Sequence, residues 1–294
     1  MKNVNKHISN YLSFLAKKQR SERTLRNYDF YLKRFIAWSK ENKVSSLEKV
    51  DAEAIRKYKL WLKAYKDPVR KVLLSKSTQN YHLIALRGFF SYLAKKKINT
   101  ILSDRVKLDK TRNKTAIVLD KSELGLLLEA PFELNQDPII VWRDKAILEL
   151  LFCSGIKVAE AASLKKSQFD ISKKGNSYLA RKANAKLKLS NQAAEALRQY
   201  LKLRKDKFDY IFISHDRAIS SRRKVKPLSA RTIERVVEKY GKHSGLRKKV
   251  TPQVLRNTYI RQHVLRGKGL ESVKKMLNYK NTSSTKAYLG KLAR

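Results

Sequence analysis

Residues 251–259 read TPQVLRNTY, and the reading of the carboxy-terminal half turns on this stretch. Thr251 is placed to cap a helix, and Pro252 suits the first helical position because its missing N–H has no intrahelical partner there. No further Pro or Gly interrupts the run, so a helix is expected from Pro252 onward. Gln253 and Arg256 then lie three apart, on one face of the first turns. Side-chain donors beside the exposed N–H groups of a helix start form a favourable place for an anion.

The composition names a class of anion. The chain has 294 residues, with 68 Lys and Arg against 25 Asp and Glu, a formal net charge of +43. The excess is not a tail, since residues 1–100 alone carry 24 basic and 7 acidic residues. A folded chain this basic repels itself unless polyanions are its normal company, which points to DNA or RNA. At 42% hydrophobic residues it can bury a core in each of two domains. No apolar run approaches the ~20 residues of a membrane span. The start, MKNVNKHISNYLSFLAKK, has no signal-peptide pattern, so no membrane role and a cytoplasmic, nucleoid-associated setting are expected. The single cysteine, Cys153, sits in the apolar run AILELLFCSG and reads as a core residue; five scattered histidines lack ligand spacing. No metal and no cofactor are expected.

Working outward from TPQVLRNTY, the first hundred residues show helical periodicity in four segments: ISNYLSFLAKK, TLRNYDFYLKRFIAWSKENK, AEAIRKYKLWLKAYK and TQNYHLIALRGFFSYLAKKK. Ser21 and Ser77 precede the second and fourth as cap candidates. The polar, aperiodic SDRVKLDKTRNKTA reads as a linker. Helices are then expected in KSELGLLLEA, in WRDKAILELLFCSG ending at Gly155, near Lys157 in KVAEAASL, in NQAAEALRQYLKLRK and in SARTIERVVEKYGKHSG. SYLARK and KLKLS read as a β-hairpin and YIFIS as a short buried strand. The fold class is mainly α with a small β-hairpin or sheet (α+β). The domains are an N-terminal helical bundle over 1–103, a linker over 104–116 and a second domain over 117–294.

The order SGIKVAEAASL, a hairpin with Lys182, TPQVLR, LNY and a late Tyr288 resembles the tyrosine recombinases of the Xer and phage-integrase type. That family's catalytic domain shows SGLRxSExxxL, a GKG-type hairpin lysine, TPHxLRHTFATH and LGH, with a tyrosine nine residues after the last His. Tyr288 lies nine residues after Tyr279, which stands at that His. SERTLRNYDFYLKRFIAW and SKSTQNYHLIALRGFFSYLAKK are similar to the helices of the family's SAM-like core-binding domain. The resemblance spans essentially the whole chain.

The resemblance implies site-specific cleavage and rejoining of double-stranded DNA through a 3′-phosphotyrosyl intermediate, by a homo- or hetero-tetramer of recombinases. Tyr288, in STKAY, takes the nucleophile position. Arg256 takes that of a bidentate phosphate clamp. Lys182 takes that of the hairpin general acid, although the hairpin reads KAN and Arg181, Lys186 and Lys188 crowd it. Three catalytic positions depart from the pattern. Lys157 replaces an arginine and loses the planar fork. Gln253 replaces a histidine; it can donate a hydrogen bond but cannot exchange a proton. Tyr279 replaces the His or Trp after LG. Asn257 also stands where His is usual, and His263 lies seven rather than six residues after Arg256, so it reads as packing or surface. Six residues follow Tyr288, where the family often carries a longer segment that docks into a neighbour, so a weaker or differently arranged assembly is expected. Two alternatives stay open at this level: a recombinase-fold DNA-binding protein with attenuated or no cleavage, and an unrelated basic RNA-binding protein.

Overall fold

The computed structural model describes residues 4–44, 46–69, 71–111, 115–170, 177–180, 186–215, 226–277, 286 and 289–290. The chain separates into two compact units, Met1–Arg112 and Asn113–Arg294.

In the first unit the four periodic segments form α1 (Val4–Lys17), α2 (Glu22–Glu41), α3 (Ala52–Ala64) and α4 (Lys76–Lys95). Short polar residues start three of them. Ser21 accepts from the Thr24 N–H, Asp51 from Ala54 and Ser75 from Thr78, each satisfying a donor that has no partner within the helix. The cap of α4 is therefore Ser75, not Ser77; Ser75 has the extended backbone of a cap, whereas Ser77 is already the second residue of the helix. The core is aromatic, with Phe35, Tyr58, Phe89 and Phe90 fully buried and the Phe35 and Tyr58 rings edge to face at 5.0 Å.

The stretch after α4 does not leave this unit at once. Ser103–Arg105 forms a 3-10 turn, and Val106 is fully buried in the aromatic core. Asn80 and the Asp109 backbone exchange two hydrogen bonds at 2.8 and 2.9 Å, and Lys59 pairs with the Asp109 carboxylate at 2.7 Å. Polarity marked this stretch as irregular, and one buried valine with one asparagine fastens its first half.

The second unit contains α5 (Lys121–Glu133), α6 (Pro138–Ser154), α7 (Val158–Ala162), α8 (Asn191–Leu203), α9 (Ala230–His243), α10 (Pro252–Leu265) and α11 (Leu270–Leu277). A small antiparallel sheet runs β1 (Phe169–Asp170), β2 (Tyr178–Ala180) and β3 (Lys186–Lys188), with Leu179 opposite Leu187. The hairpin is as the sequence predicts; β1 is too short to show alternation and gave no signal. YIFIS is not a strand. Tyr210 bridges to Lys165 and Ile213 to Pro227, so its two ends pair with different segments and no continuous ladder forms. Its burial, with Ile211, Phe212 and Ile213 at 2% exposure or less, explains the apolar run.

The centre of this unit is α6, which packs against α5, α8 and α10. Asp137 caps it, Pro138 occupies its first position, and Gly155 ends it in the left-handed conformation at φ 55°. Its burial extends to charged residues. Lys145 is held between Glu149 at 2.9 Å and Glu129 at 2.8 Å, and Asp144 accepts from Arg143 and from the Tyr240 hydroxyl. Breaking one member of such a buried pair costs about 3–5 kcal/mol, so these contacts fix how α6 sits against its neighbours. Cys153 lies half-buried against the same core, its thiol pushed up to about 11 by burial.

Candidate active site

The site is organised by α10. Thr251 caps it as predicted, accepting from the Val254 N–H at 3.3 Å, with Pro252 at the first position. Within the next turns three consecutive side chains reach three separate backbone groups. Arg256, only 2% exposed, donates from Nη1 to the Gly155 carbonyl. Asn257 donates from Nδ2 to the Ile117 carbonyl at 2.9 Å. Thr258 accepts from the Leu119 N–H at 2.9 Å while its hydroxyl donates to Val254 O. The segment Ile117–Leu119 and the bend after α6 are thus both pinned to α10.

That bend carries Lys157. Gly155 has the positive φ that L side chains rarely adopt, and a Cβ there would stand 2.6 Å from Tyr259 Cδ1. Glycine is required on both counts. Ile156 is buried, Lys157 is exposed at the cap position of α7, and the Lys157 carbonyl accepts from the Glu160 and Ala161 N–H groups. Lys157 therefore follows, by two residues, the carbonyl that Arg256 holds. Gln253 is exposed at the head of α10, one turn before Arg256, and its Nε2 donates to Asn257 Oδ1 at 2.9 Å. Lys157, Gln253 and Arg256 are brought to one region. Lys182, Tyr279 and Tyr288 lie outside the described residues. Leu289, next in sequence to Tyr288, packs against a small cluster of Tyr259, Ile260 and Val273.

His263 is half-buried, its ring edge-on to Tyr259 at 4.5 Å and its Nδ1 buried without a hydrogen-bond partner. Burial, followed by the charges of Lys268 and Arg266, pushes its pKa down to about 4, so it is a neutral packing group at pH 7. Two contributors escaped the motif reading. Asn257 was visible only as a departure, and the role of Thr258 as an anchor for Leu119 has no spacing signal. Among the described residues no cluster of His, Cys, Asp or Glu could hold a metal ion, and no helix is long and apolar enough to cross a membrane.

Residues 117–293 match the phage integrase family, and residues 8–97 match the phage integrase N-terminal SAM-like domain. The tyrosine recombinase XerC of Thermodesulfovibrio yellowstonii is 31% identical over 299 residues, covering 98% of this chain and 92% of that protein. In fold, the chain resembles the XerH site-specific recombinase bound to palindromic difH substrate in a post-cleavage complex. The TM-score is 0.68 at 19% identity, over 90% of this chain and 76% of that one. It also resembles a lambda integrase tetramer bound to a Holliday junction, with a TM-score of 0.65 at 18% identity, over 95% of this chain and 78% of that one. With the family match covering more than half of the chain and a 31% identical relative spanning nearly all of it, the chain belongs to the phage integrase family of tyrosine recombinases.

Proposed function

We propose that this chain is a site-specific recombinase that cleaves and rejoins double-stranded DNA through a phosphotyrosyl link on Tyr288. Membership of the tyrosine recombinases carries the reaction class, and it favours neither an RNA-binding role nor a DNA-binding role without cleavage. The observation that carries the site assignment is the Arg256–Gly155 bond, which couples the arginine of TPQVLR to the SGIK bend.

The Tyr288 hydroxyl attacks a DNA phosphodiester. A bond forms between its oxygen and phosphorus as the hydroxyl proton leaves to water, the bond to the 5′-oxygen breaks, that oxygen takes up a proton, and a 3′-phosphotyrosyl link and a 5′-hydroxyl result. The 5′-hydroxyl of the partner strand reverses the step. A tyrosine with a pKa of about 10 is a weak nucleophile at pH 7, so the reaction depends on neutralising the phosphate. Arg256 supplies a fixed planar donor, its guanidinium already oriented by Gly155. Lys157 adds charge from an exposed position without a bidentate fork. Gln253 donates a hydrogen bond at the positive end of α10. Lys182 protonates the departing 5′-oxygen, since Gln253 cannot, and Tyr279, at the position of the family's His or Trp, contributes a hydroxyl donor.

Further parts of this proposal are a tetramer of recombinases on two duplexes, a core-binding role for the N-terminal helical unit and a site of action in the cytoplasm at the nucleoid. The lambda integrase tetramer on a Holliday junction supports the first. Arg23, Arg26, Lys40, Lys76 and Arg87, exposed on α2 and α4, support the second as phosphate contacts. The test is a nicked duplex carrying a site selected by the protein from a randomised duplex library. Loss of the short fragment beyond the nick traps a covalent adduct, and binding without any adduct would contradict the proposal.

A further inference from the structure

Asn257 is 5% exposed and engaged at both ends of its amide. Nδ2 donates to the Ile117 carbonyl at 2.9 Å, and Oδ1 accepts from Gln253 Nε2 at 2.9 Å. A backbone carbonyl offers only lone pairs, so the asparagine must turn its NH2 group toward Ile117. Its oxygen then faces Gln253, and only the nitrogen end of the glutamine amide can meet it. The orientation of Gln253 is thus dictated from Ile117, through Asn257, across one turn of helix.

This has a consequence for an anion. A glutamine side chain with nothing to orient it can present either its oxygen or its nitrogen to a phosphate, and the oxygen would repel it. Gln253 is exposed at the N-terminal end of α10, while Asn257 lies buried beneath it. Both residues stand where the family pattern TPHxLRH carries histidine, and both are amides here. A histidine needs no such orientation when protonated, because both ring nitrogens donate.

We infer that Asn257 is a positioning residue for DNA cleavage: it fixes the Gln253 amide with Nε2 as its working end, and the two amides replace the two histidines as one unit. Nε2 carries two hydrogens, so the nitrogen that binds Asn257 is also the end that can donate to a non-bridging phosphate oxygen. No proton changes hands; the pair stabilises charge only. The inference rests on the proposal that Gln253 faces the scissile phosphate.

The experiment is a double-mutant cycle on adduct formation, at saturating protein, with the nicked library-selected duplex. The proteins are the unmodified chain, Gln253→Ala, Asn257→Ala and the double variant. Asn257→Ala is expected to slow cleavage about tenfold or more in the unmodified background. In the Gln253→Ala background it is expected to change the rate by less than about twofold, because there is no longer an amide to orient. Duplex affinity and melting temperature should respond to Asn257→Ala alike in both backgrounds. Equal slowing in both backgrounds would overturn the inference and leave Asn257 as a fold contact alone. Gln253→Glu provides a second reading that leaves Asn257 itself and its bond to Ile117 unmutated. It keeps the shape of Gln253 but cannot donate, so it should slow cleavage at least as much as Gln253→Ala; an unchanged rate would also overturn the inference. An unmodified chain that binds the duplex yet forms no adduct overturns the proposed function, and this inference with it. Adducts with an uncoupled cycle overturn the inference alone.

Discussion

Arg256 donates its guanidinium to the carbonyl oxygen of Gly155, across 101 residues of sequence. The bond does two things. It closes a backbone acceptor left at the end of α6, and it sets the bend from which Lys157 emerges. An arginine that is 2% exposed and held in this way is stiff before any DNA arrives, which is what a phosphate clamp requires.

Replacing Arg256 should therefore cost both stability and chemistry. Arg256→Ala leaves the Gly155 carbonyl without this donor and is expected to destabilise the chain by about 1–3 kcal/mol, read from urea unfolding. Adduct formation should fall by at least ~100-fold, the scale of losing one preorganised donor. Arg256→Lys should recover part of the stability and little of the rate, because an ammonium cannot hold Gly155 and two phosphate oxygens in one plane.

Gly155→Ala tests the bend without touching a charged group. The added methyl must share space with the Tyr259 ring, 2.6 Å away, at a φ of 55°. A loss of about 1–3 kcal/mol is expected, or about 2–4 °C of melting temperature per kcal/mol for a unit of this size. Cleavage should slow as well, through displacement of Lys157. An unchanged melting temperature would show that the bend is not held as described.

The departures from the family pattern should be reversible. Lys157→Arg and Gln253→His, with Tyr279→His, are expected to raise the cleavage rate, each restored bidentate or ionic contact being worth tenfold per ~1.4 kcal/mol. Gln253→His should gain further from Asn257→His, since Asn257 is matched to an amide. Gln253 does not titrate, so the Gln253→His protein should acquire an inflection near pH 6.5 absent from the parent, about where an unperturbed histidine titrates. A triple change with no gain in rate would count against the assignment of these positions.

A pH test addresses the N-terminal unit. His82 is fully buried, with its ring against Tyr31 at 4.3 Å, Tyr58 on Nδ1 and Arg34 on Nε2. Burial first and the Arg34 charge second push its pKa down to about 3. The unfolded chain thus binds a proton at His82 that the folded chain refuses, and stability is lost as pH falls from about 6.5 toward 3. The slope should approach ~1.4 kcal/mol per pH unit over that window. Urea unfolding of a Trp142→Phe background, where Trp38 and Trp61 report this unit, should show the slope at pH 7 to 5. His82→Gln should flatten it; an identical slope would contradict the assignment.

The helices were legible because their causes are local. Ser21 and Thr251 cap the helices they precede, and the apolar periods of α2 and α8 persist long enough to be unambiguous. What stayed hidden depends on partners far along the chain. YIFIS has the composition of a strand, yet its ends bridge to Lys165 and Pro227, which no short window can show. Val106 sits in a polar stretch and is buried by the aromatic core of the first unit. At the site, the motif order located Lys157, Gln253 and Arg256. The bonds from Arg256, Asn257 and Thr258 to Gly155, Ile117 and Leu119 join residues more than a hundred positions apart and leave no spacing signal.

The most direct test is the identity of the residue that carries the DNA. The unmodified chain, incubated with the nicked library-selected duplex and digested, should yield a peptide spanning 286–290 with a nucleotide on Tyr288. Tyr288→Phe should bind the duplex with nearly unchanged affinity and give no adduct. An adduct that persists in Tyr288→Phe, or tight binding by the unmodified chain without any covalent product, would contradict the account.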